Sequence, residues 1–299
     1  VSSIQVGIGL ALVAATLTNL ASLLKHRGCQ RVEPIRIHEP LRSVRRLASS
    51  RWFAAGWGLA ATAWLIHVAA LSMAPISLVQ AALAGGAVTL AVISQGLFGN
   101  AVERRQWLAL ALGGGGLALL AITLPHFHGS HSHFAPAAIL SFEGGLSLIA
   151  AGLALGHRSE RFVARRGALL AAIAGTLFAL AGIAIKGLTG EAGLPLFLAA
   201  PWIALIVLWG ALAQYSAVAA LQRGGAIETI GLIGLIANAA QIAGGVIVFG
   251  DPLATGPIGI GMQATAFALV CASALLLPAS RDRVGSSAGA RPRALLPAA

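Results

Sequence analysis

Hydrophobic positions in this chain come in long runs rather than in stripes. Nine such runs are read at about residues 4–24, 52–73, 76–98, 107–124, 135–156, 167–186, 196–220, 226–249 and 257–278. Segments such as Val6 to Leu24 and Trp202 to Leu212 are apolar nearly all round, so a helix there has no face to offer water. About 20 apolar residues in a helix match the hydrocarbon core of a bilayer. The pattern therefore predicts an all-α polytopic membrane protein of about nine transmembrane helices. Pro75 marks the tight connection between the second and third runs, and Pro252 and Pro257 bracket the connection before the last.

The polar positions set the topology. Between the first two runs lie Lys25, Arg27, Arg31, Arg36, Arg42, Arg45, Arg46 and Arg51. Arg104 and Arg105 precede the fourth run, and Arg158, Arg161, Arg165 and Arg166 precede the sixth. Arg223 lies between the seventh and eighth, and Arg281, Arg283, Arg291 and Arg293 follow the last. With nine spans all these segments fall on one side, leaving Lys186 as the only basic residue elsewhere. The positive-inside rule makes that side cytoplasmic, with the N-terminus outside and the C-terminus inside. Localisation in the cell (inner or plasma) membrane follows. The formal charge of +11 is then an orientation signal with some attraction for anionic headgroups, not a nucleic-acid footprint.

Composition agrees: 58% of residues are hydrophobic, 10% are charged, and mean hydropathy is +0.86, too apolar for a water-exposed surface. Abundant Ala and Gly suit helices that approach closely in lipid. Cys29 and Cys271 form no disulfide or metal pattern. The first run lacks a basic n-region and an A-x-A-like cleavage site, so it is read as a span.

The chain also contains a weak internal repeat. Val68-Ala-Ala-Leu71 recurs as Val218-Ala-Ala-Leu221, 150 positions on, and Phe98-Gly-Asn100 recurs as Phe249-Gly-Asp251, 151 positions on. Thr16-Leu17 and Leu20-Ala21 match Thr176-Leu177 and Leu180-Ala181 at an offset of 160, the difference reflecting the long basic loop after the first span. Residues 1–124 then form a first repeat of four spans with a basic cytoplasmic loop at 25–51. Residues 125–166 supply an outer His-rich loop and a connecting span, 167–278 a second repeat, and 279–299 a disordered basic tail. An odd number of spans per offset inverts the second repeat, a device that supports alternating access around a midplane site.

On these residues the chain resembles the drug/metabolite transporter superfamily, EamA-like. The resemblance rests on Ala70-Leu-Ser-Met-Ala-Pro-Ile-Ser77, the stretch from Phe98-Gly-Asn100 to Arg104-Arg105-Gln-Trp107, Ala220-Leu-Gln-Arg-Gly-Gly225, and Val248-Phe-Gly-Asp-Pro252. It spans most of residues 4–278. The nine spans, the long first loop, Lys25-His-Arg-Gly28 and Met73-Ala-Pro75 look most like NIPA-type magnesium transporters. That family has an acidic residue and an Asn in the second span, where this chain has Trp64 and His67. Small multidrug exporters of the superfamily use a Glu in the first span, which here offers Thr16, Thr18, Asn19 and Ser22.

Candidate site residues are the polar groups within spans, where they are costly and face a cavity or a partner helix. Glu143 and Glu228 are candidates for a coupling ion, with interhelical hydrogen bonding and a helix-start position as the respective alternatives. Gly231, Gly234, Asn238, Gln241 and Gly245 recur on one helical face, suited to either a cavity lining or a tight seam. Asn19, His67, Gln80, Gln214 and Tyr215 complete the substrate-binding candidates, and the Gly113 to Gly116 run permits bending or close packing. His126, His128, His131 and His133 form a loop cluster able to bind Zn²⁺, Ni²⁺ or Cu²⁺, physiologically or adventitiously. No catalytic constellation, Walker motif or dinucleotide fingerprint is present, so neither an enzyme nor a cofactor is expected. The expected partners are a small-molecule or ion substrate, membrane lipid and a second copy in a homodimer, with no nucleic acid. The expected function is a secondary transporter or facilitator of a metabolite, drug-like solute or ion. A divalent-cation carrier and a non-transporting scaffold or lipid-handling accessory are the rivals.

Overall fold

The computed structural model describes residues 3–35, 39–99, 102–123, 134–190, 195–251, 254 and 256–276. Every regular element among them is helical: α1 (Ser3–Cys29), α2 (Pro40–Ser49), α3 (Arg51–Met73), α4 (Ile76–Phe98), α5 (Arg104–Thr123), α6 (Pro136–Arg158), α7 (Arg166–Gly190), α8 (Leu196–Leu221), α9 (Ala226–Phe249) and α10 (Pro257–Leu276). A 3-10 turn, Glu160–Arg165, joins α6 to α7. The apolar runs read from the sequence fall on α1 and on α3 to α10. Among the described residues seven helices are long and apolar enough to cross a membrane by length and composition: α1, α3, α4, α6, α7, α8 and α9. α5 and α10, 20 residues each, pack on one another.

Two features differ from the hydrophobic pattern. α1 continues past residue 24 to Cys29, because the aliphatic stem of Lys25 lies buried against Gly56 of α3 and keeps the last turn packed. The basic loop also contains α2, whose Ser43 and Leu47 are buried while Arg42, Val44 and Arg45 are exposed. Its dense arginines hide that amphipathic turn from a search for apolar runs. The C-termini of α4 and α9 end alike, on Gly99 at φ 65° and Gly250 at φ 67°, a left-handed cap that favours glycine.

α7 is the central helix, with 78% of its apolar window buried, against 11% for each of α6 and α8. α6 and α8 instead turn Leu140, Leu148, Leu155, Phe197 and Val207 outward. An apolar exterior of that extent suits lipid rather than water, and the architecture is consistent with a polytopic membrane protein. α1 packs against α3 and α4, α7 packs against α8 and α9, and α4 crosses α9. Small residues set these distances: a Cβ on Gly28 would lie 2.6 Å from the Phe53 backbone N, and one on Gly56 2.7 Å from the Ala21 carbonyl.

The contacts distinguish the two ends of the bundle. At one end Gln30 Nε2 donates to Leu221 O (2.9 Å), the Ile35 amide donates to Gln222 Oε1 (3.0 Å), and Gln106 Nε2 donates to Glu228 Oε1 (3.3 Å). The basic segments that are described gather there, and we refer to it as the basic end. At the other end Lys186, Asp251 and Ser77 meet beside the α3–α4 corner.

Candidate functional site

A cavity of about 110 Å³ lies between α1, α4, α5, α9 and α10. Its polar lining is Thr18, Asn19, Asn238 and Ser273. The rest is apolar or glycine, including Leu90, Leu117, Ile230, Gly113, Gly231 and Gly234. Asn19 is held by its amide nitrogen, which donates to Gly86 O (2.6 Å) and to Thr89 Oγ1 (3.2 Å). Both donors of that amide are thereby engaged. Ser273 Oγ donates to Ala109 O at 2.7 Å, which ties α10 to α5 and is possible because Gly113 leaves room for the hydroxyl. Asn238 lines the cavity from α9, and none of the described lining side chains is ionisable.

The glycine and amide stripe on α9 divides between two tasks. Gly231, Gly234 and Asn238 face the cavity. Gln241 is only 5% exposed, receives a hydrogen bond from Gln80 Nε2 of α4 (2.9 Å) and donates to Ala237 O (3.3 Å). Gly245 packs under Ser77 and Asp251. Since α9 begins at the basic end, the cavity lies toward that end and the Gln80–Gln241 bond lies beyond it, away from the basic loops.

Further along sits a cluster that sequence reasoning missed. Lys186 is fully buried, and its Nζ donates to Leu71 O (2.8 Å) and Ala74 O (3.0 Å) at the C-terminal turn of α3. Asp251, 2% exposed, interacts electrostatically with Lys186. Its Oδ2 accepts from the Ser77 amide (3.3 Å) and from the Ser77 hydroxyl, which caps the start of α4. Two signals pointed here: Lys186 is the one basic residue outside the basic segments, and Asp251 stands where the first half has Asn100.

The other candidates lie apart from the cavity. His67 is half-buried on α3 with its Nδ1 enclosed, and Gln214 is half-buried on α8. Tyr215 is 41% exposed on the outer side of α8. Glu143 of α6 approaches the Trp209 indole of α8, at the periphery of the bundle. Glu228 sits in the first turn of α9 at the basic end. His126, His128, His131 and His133 lie outside the described residues, among which no group of three or more His, Cys, Asp or Glu is placed to hold a metal.

The arrangement is thus a small, neutral, hydrogen-bonding chamber, with a buried polar seal on one side. None of the described lining residues pairs a nucleophile with a base. No protein-family model, no curated protein and no solved structure matches this chain.

Proposed function

We propose that the chain is a secondary transporter or facilitator of the drug/metabolite type, moving a small uncharged polar solute by alternating access. In this reading nine helices cross the membrane as two inverted four-helix repeats, α1, α3, α4, α5 and α7, α8, α9, α10, with α6 as connector. The basic end is cytoplasmic. The observation that carries the reading is a mainly apolar cavity with four polar side chains, built by helices of both halves beside the α4–α9 crossing.

Packing supports the repeat. Exchanging the halves turns α1·α3 and α1·α4 into α7·α8 and α7·α9, both of which are in contact, and returns α4·α9 and α5·α10 to themselves. Residue pairs follow the same offsets. Gly7 packs on Met73 and Ala74, and Gly167 packs on Arg223. Ala15 meets Gly86, and Gly175 meets Ile236.

The lining supports an uncharged substrate. A divalent cation requires hard oxygen ligands, usually carboxylates, to replace its hydration shell. The cavity offers two amides and two hydroxyls instead. Purified protein screened for thermal stabilisation by neutral solutes and by Mg²⁺, followed by flux of the best hit in proteoliposomes, tests the proposal. Selective stabilisation and saturable flux of a neutral solute are expected. Saturable Mg²⁺ flux without solute stabilisation would replace the substrate class, and silence in both assays would overturn transport.

A further inference from the structure

The proposed repeat makes a specific demand on the two ends of the bundle. At an offset of 160 His26 corresponds to Lys186, and at 150 Leu71 and Ala74 correspond to Leu221 and Gly224. The contacts obey both offsets at once. Lys186 Nζ donates to Leu71 O (2.8 Å) and Ala74 O (3.0 Å) at one end. At the other, His26 Nε2 lies 3.3 Å from Gly224 O, where the Nε2-protonated ring donates, and Gln30 Nε2 donates to Leu221 O at 2.9 Å. In each case the first helix of one half reaches carbonyls at, or just beyond, the C-terminus of the second helix of the other half. Those carbonyls have no partner within their own helix, so a donor from across the interface is the natural way to satisfy them.

We infer that Lys186 at one end and His26 with Gln30 at the other are paired gates that tie the halves together, and that their unequal strength sets the direction in which the resting cavity faces. This rests on the alternating-access reading above. The inequality is chemical. The Lys186 gate carries a charge, is backed by Asp251 and its bonds to Ser77, and is fully buried. Charge-assisted hydrogen bonds are roughly twice as strong as neutral ones. At the other gate His26 is half-buried and Gln30 exposed, and among the described residues neither forms an ion pair with a carboxylate.

The α4–α9 crossing repeats the asymmetry. Gln80 and Gln241 join the two helices by a hydrogen bond on the Lys186 side. At offsets of 150 and 151 their counterparts are Ile230 and Leu90, which meet only as apolar side chains and themselves line the cavity. One side of the cavity is therefore closed by a polar bond between α4 and α9, and the other by apolar packing around Leu23, Leu90, Leu221 and Ile230. The cavity's position toward the basic end agrees with the Lys186 gate being the firmer of the two. A ligand or mutation shifts such an equilibrium only through its different interactions with the two states, and each gate exists in the state that closes its own end.

The test uses the full chain in sealed vesicles of known orientation, with Cys29→Ala and Cys271→Ala as background and Thr18→Cys as a cavity reporter. Labelling by a membrane-impermeant methanethiosulfonate is timed from each face. The parent should react faster from the basic face. Lys186→Met should raise the rate from the opposite face at least tenfold and lower it from the basic face. His26→Leu with Gln30→Leu should do the reverse, and combining the variants should bring the ratio back toward the parent. Lys186→Arg, which keeps the donors, should leave the ratio near the parent value. Unchanged ratios, shifts in one common direction, or faster labelling from both faces would reduce these contacts to structural ties and overturn the inference. If Lys186→Met is not monodisperse, Gln80→Leu loosens the same end and must shift the ratio the same way. Labelling needs no substrate, so absent flux with shifted labelling would sink transport and leave the gates standing.

Discussion

Replacing Asp251 tests the buried cluster most directly. Asp251 is 2% exposed and does two things: it accepts the Ser77 amide and hydroxyl at the start of α4, and it faces Lys186, which is fully buried. Asp251→Ala removes the carboxylate facing the buried ammonium, and breaking a buried pair from one side costs about 3–5 kcal/mol. Lys186→Met strands the carboxylate instead, but leaves it the Ser77 donors, so about 3 kcal/mol is expected. Removing both at once takes away the uncompensated charge, and exchanges of that kind approach neutrality. The double variant should therefore cost less than about 4 kcal/mol, giving a coupling of about 2 kcal/mol or more. Ser77→Ala leaves Asp251 its amide donor, and should cost about 1.5–3 kcal/mol, one hydrogen bond to a charged group. The assay is SDS-driven unfolding in mixed micelles followed by circular dichroism. Additivity of the two single variants to within about 0.5 kcal/mol would refute the argument.

The remaining predictions concern the seam and the chamber. Gly56→Ala should destabilise by about 1–3 kcal/mol in the same unfolding assay, because its Cβ would lie 2.7 Å from the Ala21 carbonyl and 2.9 Å from the Lys25 amide nitrogen. Gly58→Ala, two residues on, meets nothing within 4 Å and should be neutral or stabilise by up to about 1 kcal/mol. Gly234→Leu also meets nothing within 4 Å at its Cβ but stands at the cavity wall, so it should leave stability within about 1 kcal/mol. It should abolish the thermal shift given by the best solute, and a retained shift would place the solute elsewhere. Asn238→Ala should weaken that solute by about tenfold, read by titration of the same shift, as expected for one lost hydrogen bond.

The sequence exposed the helices more clearly than their faces, and the reason is the solvent. In water, apolar stripes mark the buried side of a helix. Here Leu148 of α6 and Leu180 of α7 look alike in sequence, yet one is 75% exposed and the other fully buried. Only polar and small residues carry directional information in such a chain. Asn19 and Asn238 stood out for that reason, and both line the cavity. Glycine is a weaker sign: Gly56 and Gly182 sit under other helices, whereas nothing approaches Gly144 or Gly152. Tyr215 has its place on the outer side of α8, a position that polarity alone does not distinguish from an inward one. Lys186 was visible as a topological exception, but its partners are backbone carbonyls of α3, which leave no pattern of residue types to find.

The same argument explains why the repeat is faint in residue identities and plainer in contacts. In one half the close approach of first and third helices uses Ala15 against Gly86, with the glycine on α4. In the other it uses Gly175 against Ile236, with the glycine on α7 and the larger residue opposite. Clearance between two backbones constrains the sum of two side chains, not either one, so the small partner is free to change sides. The gates follow the same logic with a different currency. A carbonyl at, or just beyond, a helix C-terminus needs a donor, and Lys186, His26 and Gln30 all supply one. What differs among them is charge, so the two halves can share a geometry while one end is held more tightly than the other. An inverted repeat with identical gates would leave its cavity equally disposed to both faces. In the proposed cycle, the divergence of His26 from Lys186, reinforced by Asp251 and by the Gln80–Gln241 bond at the Lys186 end, therefore gives the resting protein a direction.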